Sequence, residues 1–351
     1  MIYQMISSLL HKADPELAHN LAIQFLKNDY LPLQLFQKKF SKKLEINILG
    51  KNFKHPVGLA AGFDKNAEIY NSIFKLGFSF AEVGTVTPLP QSGNPKPRVF
   101  RLSEDRSIIN RLGFPSLGMK EVRSIIEKKT PKGVLGINIG PNKESSSKIE
   151  DYLNCFENFC NLCDYICINI SSPNTPNLRD LHEKDKIQEL LVSIKNKQKQ
   201  LHSQTKILLK ISPDINDQNI SELATILLDQ KIDGVVLTNT TIYRSDNLLS
   251  SNKVEVGGLS GESLELISNT IIKKFYKILK NKIPIIGVGG VHDGQSALRK
   301  IKSGASLLQL YTALVYEGPN IVNKINQELV KLLELEGFES LQDAVGKDCV
   351  D

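Results

Sequence analysis

Short apolar, β-branched runs recur along the chain, each followed by a polar or glycine-rich patch. Val57–Ala60, Phe80–Gly84, Val134–Ile139, Tyr165–Ile170, Lys206–Ile211, Gly234–Leu237, Pro284–Val288 and Leu307–Leu310 read as buried strands. Amphipathic helical patterns lie between most of them, for example at Ile187–Leu201, Ile220–Leu228, Leu264–Leu279 and Gln295–Lys302. Strands alternating with helices imply parallel βαβ units. Eight such units in about 290 residues predict an α/β protein, a (β/α)8 TIM barrel. The competing architecture is a doubly wound sheet. Its G-x-G-x-x-G turn after the first strand is absent, and Gly287, Gly289 and Gly290 do not complete that spacing.

The first forty-odd residues follow another pattern. Ile2, Met5, Ile6, Leu9 and Leu10 form one apolar stripe. Asp14-Pro15-Glu16 then starts a second helix, with Asp as cap and Pro at the first position. Leu17, Leu21, Ala22, Phe25 and Leu26 form its apolar face. Two amphipathic helices outside a barrel pack on it or lie on a membrane surface. The expected division is a helical extension over residues 1–43 and a barrel over 44–351. Leu44–Leu49 and Asn52–His55, joined through Gly50, read as a hairpin closing the barrel floor.

The strand ends carry the candidate chemistry. The fourth run stops in Asn169-Ile170-Ser171-Ser172-Pro173-Asn174-Thr175-Pro176-Asn177, a patch of amides, hydroxyls and prolines on stiff backbone. By itself it is as readily a turn as a site. A barrel gathers all eight strand ends on one rim, where active sites of this fold sit, and that makes it a site. Ser172 is then a candidate proton acceptor. Asn110, Asn169, Asn174 and Asn239 supply donors and acceptors suited to a ring with alternating N–H and C=O edges, such as a pyrimidine, although each alone is commonly a turn or cap residue. Lys65 and Lys210 adjoin strand ends; a lysine there forms a Schiff base, pairs with phosphate or stabilises charge on a flavin ring, unless it is merely solvated. Gly257–Gly261, Gly289-Gly290 and Tyr311-Thr312 are candidate phosphate loops, with plain turn glycines as the alternative.

Composition narrows the partners. The chain has 351 residues, 41% hydrophobic and 23% charged, with a formal net charge of +6. No block of like charges suggests nucleic acid. No apolar run nears the ~18 residues a spanning helix requires. The N-terminus lacks a secretory pattern, so an intracellular protein is expected. Cys155, Cys160, Cys163 and Cys167 match part of an iron–sulfur spacing. Their positions on a helix and inside a strand favour buried, reduced thiols, and no metal site is expected.

Taken together, Ala60-Ala61-Gly62-Phe63-Asp64-Lys65, Glu82-Val83-Gly84-Thr85-Val86-Thr87-Pro88, Asn110–Phe114, Gly136–Gly140, the Asn169–Asn177 loop, Thr238–Thr241, Gly257–Gly261 and Ile286–Gly290 resemble dihydroorotate dehydrogenase in order along nearly the whole chain. Ser172 and the extension resemble the quinone-dependent class, whose soluble counterpart carries Cys at that position. The resemblance implies FMN bound by Ala61, Gly62, Lys65, Thr85, Asn138, Asn169, Lys210 and Thr238, with Gly261, Gly290, Tyr311 and Thr312 at its phosphate. It implies dihydroorotate bound by Lys65, Asn110, Arg111, Leu112, Gly113, Phe114, Asn169, Asn174, Asn239 and Thr240. Ser172 would be the catalytic base, with Thr175 as its relay through water. His19 and Arg101 would meet the head-group of ubiquinone or menaquinone. The implied setting is the cytoplasmic side of the inner membrane, peripherally bound. A flavin-dependent tRNA dihydrouridine synthase and a non-catalytic FMN-binding barrel are the alternatives.

Overall fold

A computed structural model describes residues 13–28, 32–175 and 178–349. The first apolar stripe, Ile2 to Leu10, and Pro176 and Asn177 of the serine loop lie outside the described residues.

Eight parallel strands close a barrel: β3 (Val57–Leu59), β4 (Phe80–Val86), β7 (Val134–Ile139), β8 (Tyr165–Asn169), β9 (Lys206–Ile211), β10 (Gly234–Leu237), β12 (Ile285–Val288) and β13 (Leu307–Leu310). These are the eight predicted runs, in order around the barrel, with β13 pairing back to β3. Helices follow the strands and pack outside; Lys184–Gln200, Asp217–Asp229, Glu265–Leu279 and Gly294–Lys302 overlay the predicted helical stretches. Register sets the rim chemistry, placing Asn138 opposite Cys167 and Asn169 opposite Lys210.

The interior is packed by large side chains that leave no room opposite them. A Cβ on Gly136 would sit 2.0 Å from the Tyr165 ring, and one on Gly58 2.4 Å from Phe80. The expected hairpin is present as β1 (Ile46–Ile48) and β2 (Lys51–Phe53), and Phe53 meets Phe80 edge-on at 5.4 Å. Phe80 begins its strand, so the hairpin covers the floor, opposite the rim.

The rim bears a sheet where the sequence pattern predicts loops. β5 (Val99–Leu102), β6 (Ser107–Asn110) and β11 (Gly258–Gly261) form a three-stranded antiparallel sheet, over its own core of Leu102, Ile109, Leu248 and Leu259. Asn110 ends a strand, and Gly258–Gly261 pairs with it across the sheet. Both runs are too short to declare themselves, and their pairing partners are remote in sequence.

The second predicted helix spans Pro15–Leu26 and is capped by Asp14, whose side chain accepts from the N–H groups of Glu16 and Leu17. Its apolar face is divided. Ala18, Ile23 and Leu26 are buried, and Ile23 and Leu26 join the barrel core, whereas Leu17, Leu21 and Phe25 are 53%, 52% and 61% exposed. The cysteines occupy the expected places. Cys155 and Cys167 are fully buried, Cys163 is partly so, and burial pushes the thiols of all three up.

Candidate active site

The strand ends and the rim sheet enclose one cavity. Its wall holds Ala61, Gly62, Lys65, Thr85, Asn110, Leu112, Gly113, Phe114, Asn169, Ser172, Asn174, Lys210, Thr238, Asn239, Thr240, Gly261, Gly290, Tyr311 and Thr312. These positions span 252 residues of sequence, from Ala61 to Thr312, and barrel closure brings them together. Two expected residues are not in the wall. Asn138 is fully buried behind it, bonded to Glu82, Thr85 and Asn169. Arg111 turns away, to Glu255 at 2.6 Å and over the Phe100 ring at 4.4 Å.

Ser172 is almost wholly buried, and its Oγ accepts the Asn174 N–H at 3.2 Å. That bond leaves the hydroxyl proton free and favours negative charge on Oγ. Thr175 Oγ1, three residues on, is buried without a hydrogen-bond partner. Asn174 reaches Asn110 Oδ1 at 3.4 Å, which ties the serine loop to the rim sheet. Asn239 donates to Asn169 Oδ1 at 3.2 Å and to Ser171 Oγ at 2.9 Å. Of the four predicted amides, Asn169 and Asn174 belong to the serine loop, Asn239 is hydrogen-bonded to it, and Asn110 meets it through Asn174.

Lys210 is buried at the end of β9, and among the described residues no anion or acceptor bonds its Nζ. An ammonium that faces the cavity with no protein acceptor bonded to it calls for a ligand that carries or develops negative charge. Thr238 Oγ1 and Gln309 Oε1 are also buried without partners, and both residues line the cavity. Gly290, with φ +80, lies so close to Glu265 that a Cβ would come within 2.3 Å of it. At Gly261, φ is +103. Such backbone presents N–H groups to an anion with no side chain in the way. Ser260 and Thr312 hydroxyls meet nearby at 2.9 Å. One ammonium, orphaned polar atoms and the open backbone at Gly261 and Gly290 share this cavity, a donor set that suits a flavin. Gln309 and Arg106 line the cavity too, and neither is among the residues expected there from the sequence. A lone polar residue inside the apolar run Leu307–Leu310 was the available signal for Gln309.

A second cavity of about 680 Å³ lies under the Pro15–Leu26 helix. Leu21, Phe25, Leu33, Phe36, Phe63 and Leu314 make it largely apolar, and His19 and Arg101 also line it. Lys65, Val99, Ile108, Leu112 and Tyr311 line both cavities. His19 lies edge-on to Phe63 at 5.2 Å and accepts from Lys65 Nζ at 3.1 Å. Burial, aided by the Lys65 charge, lowers His19 to about 3, so it stays neutral. Burial also lowers Lys65, to about 8.

Comparison with known proteins agrees with this arrangement. The family described as dihydroorotate dehydrogenase matches residues 43–333. The mouse protein named dihydroorotate dehydrogenase (quinone), mitochondrial, is 43% identical over 98% of this chain and 89% of its own length. The Bartonella tribocorum protein named dihydroorotate dehydrogenase (quinone) is 45% identical over 96% and 94%. A crystal structure of DHODH from Eimeria tenella in complex with ferulenol superposes with a TM-score of 0.92 at 38% identity, covering 95% of this chain and 96% of that one. None of these matches favours the tRNA-modifying or non-catalytic alternatives. A closed barrel with this rim, matched in sequence and in backbone over nearly its whole length, places the chain in the dihydroorotate dehydrogenase family.

Proposed function

We propose that the chain oxidises (S)-dihydroorotate to orotate in pyrimidine biosynthesis, with FMN in the rim cavity and a membrane quinone, ubiquinone or menaquinone, as the final acceptor. One observation carries the link between the two half-reactions. The rim cavity and the apolar cavity share walls at Lys65 and Tyr311, so a substrate on one side and a quinone on the other would lie close to the same cofactor.

The assignments follow the walls. Lys65, Leu112, Gly113, Phe114, Asn110, Asn174, Asn239 and Thr240 hold dihydroorotate, and the amides match its donor and acceptor edges. Ala61, Gly62, Thr85, Thr238 and Lys210 hold the flavin ring, and Gly261, Gly290 and Thr312 its phosphate. When bound, FMN supplies the two-electron acceptor for the hydride of the substrate's ring carbon. Ser172 takes the proton from the carbon beside the substrate carbonyl. Serine is a weak base in water, so its burial, the Asn174 N–H on Oγ and a water shared with Thr175 supply the activation. The Lys210 ammonium offsets negative charge that develops beside it.

The extension, residues 1–43, would form the quinone entrance. Leu21, Phe25 and Leu35 line the apolar cavity and are exposed, as is Leu17 on the same helix, and a surface that meets lipid requires such side chains. No helix among the described residues is long and apolar enough to cross a membrane. A peripheral position on the cytoplasmic side of the inner membrane fits these features, and the net charge of +6 adds attraction to anionic lipid.

Stopped-flow absorbance tests the reading. Dihydroorotate is expected to bleach the bound flavin, and quinone, rather than fumarate or NAD, to restore it. In Ser172→Ala the flavin stays bound, and its reduction slows by about two to four decades. Reduction of this variant at the unaltered rate would remove Ser172 as the base.

A further inference from the structure

Behind the cavity wall lies a carboxylate that no step above uses. Glu82 sits in β4 with no solvent exposure. Three donors converge on it: Asn138 Nδ2 on Oε1 at 2.8 Å, and Gln309 Nε2 at 2.8 Å and the Tyr165 hydroxyl at 3.1 Å on Oε2. A carboxylate accepts and does not donate. Asn138 therefore turns its NH2 to Glu82 and its Oδ1 toward the rim. That oxygen accepts from Thr85 Oγ1 at 2.6 Å and from Asn169 Nδ2 at 3.1 Å. Asn169 must then turn its own Oδ1 the other way, where it accepts from Asn239 Nδ2 at 3.2 Å and the Ser171 hydroxyl at 3.1 Å. Asn239 Oδ1 in turn accepts the Thr240 N–H at 2.8 Å. The relay crosses from β4 through β7 and β8 to the end of β10, and its last three members line the cavity.

The two ends of an amide have nearly the same shape, so packing alone does not choose between its two orientations. Here the choice is inherited link by link from Glu82. We propose that Glu82 is a positioning residue, whose acceptor-only carboxylate sets the hydrogen-bond direction along Asn138, Asn169 and Asn239 and so the donor and acceptor pattern presented to the substrate ring. The inference rests on the dihydroorotate reading of the rim cavity.

The test moves the carboxylate from one neighbour to the other. In Glu82→Gln the new amide oxygen stays with the two donors, Gln309 and Tyr165, and its NH2 falls to Asn138. Asn138 must then turn over, and the relay reverses. The double variant, Glu82→Gln with Asn138→Asp, keeps the volume and the charge count of the unaltered pair. There a carboxylate at position 138 accepts from the new amide on one oxygen and from Asn169 on the other, and the original direction returns. The full-length, flavin-loaded proteins are titrated with orotate, and binding is read from the flavin absorbance. The single variant is expected to weaken orotate roughly tenfold, and the double variant to return within about threefold of the unaltered protein. Unchanged affinity in the single variant, or no recovery in the double variant, overturns the proposal. Should the single variant lose its fold or its flavin, the double variant decides: orotate binding near the unaltered level supports the relay, and loss there refutes it. An unaltered protein whose flavin spectrum ignores orotate would instead sink the functional reading, and the relay's role with it.

Discussion

Glu16 joins the Pro15–Leu26 helix to the rim loops of the barrel, and Glu16→Ala isolates that joint. Its carboxylate forms a two-pronged pair with Arg98, at 2.6 and 3.1 Å, with side-chain exposures of 15% and 8%. Arg98 also donates to the carbonyls of Ser92 and Asn94 at 2.7 Å each, and Asn94 reaches the Asn174 carbonyl at 3.2 Å. Removing one member of such a buried pair strands the other and costs about 3 kcal/mol. The helix's other anchors are local to it: burial of Ala18, Ile23 and Leu26, His19 against Phe63 and Lys65, Arg101 on the Ala13 carbonyl at 2.7 Å, the Ser72 hydroxyl on the Leu26 carbonyl at 2.6 Å, and a partly exposed Lys27–Glu68 pair of small value. The loss should therefore appear as local detachment rather than global unfolding. At about 1.4 kcal/mol per decade, amide exchange in residues 19–26 is expected to quicken by roughly a hundredfold. Exchange in β8 should not move. Long-chain quinone reduction should fall, while flavin reduction by dihydroorotate persists. The contact has a pH signature as well. Arg98 holds the Glu16 carboxyl below its ordinary value of 4.5, so the attachment is complete above that value and weakens as pH falls through the lowered one. Unchanged exchange in the helix, or an equal rise in β8, would refute the reasoning.

Two further outcomes test the cofactor and substrate assignments. Gly290→Ala forces a Cβ to within 2.3 Å of Glu265 at a φ of +80, so the purified variant is expected to lose most of its flavin, measured by absorbance ratio; full occupancy would show that this loop does not cradle the phosphate. Lys65, lowered to about 8 by burial, is charged below that pH and neutral above it, so kcat/KM for the anionic substrate should fall as pH rises past about 8, and Lys65→Arg should move the fall to higher pH; a flat profile in the unaltered protein would count against an ionic role.

Much of this was legible locally. Eight apolar runs bounded by polar patches marked the eight barrel strands, because a strand buried on both faces must be apolar throughout. Asp14-Pro15 marked a helix start that the structure keeps. Other features were not legible. Arg111 lies in a motif that suggested substrate contact, yet its side chain is spent on Glu255 and Phe100, a choice made by the rim sheet. Asn138 sits at a strand end like the other candidates, but it is buried behind the wall. Glu82 opens one of the family motifs but carried no role there, although a carboxylate in an apolar run had to find donors.

By itself the sequence determined which segments become the barrel strands and the helices between them, which chemistry stands at each strand end, and which family the motifs resemble, because periodicity, caps and turn residues act over a few positions. Only the tertiary structure decided which of those ends share a wall. Closure of β13 on β3, pairing of β6 with a strand some 150 residues later, and docking of the Pro15–Leu26 helix depend on contacts between remote segments, to which a local pattern is blind. That is why the amides and Ser172 could be listed from the chain, while the junction of two cavities at Lys65 and Tyr311, and the carboxylate that orients the amides, emerged with the fold.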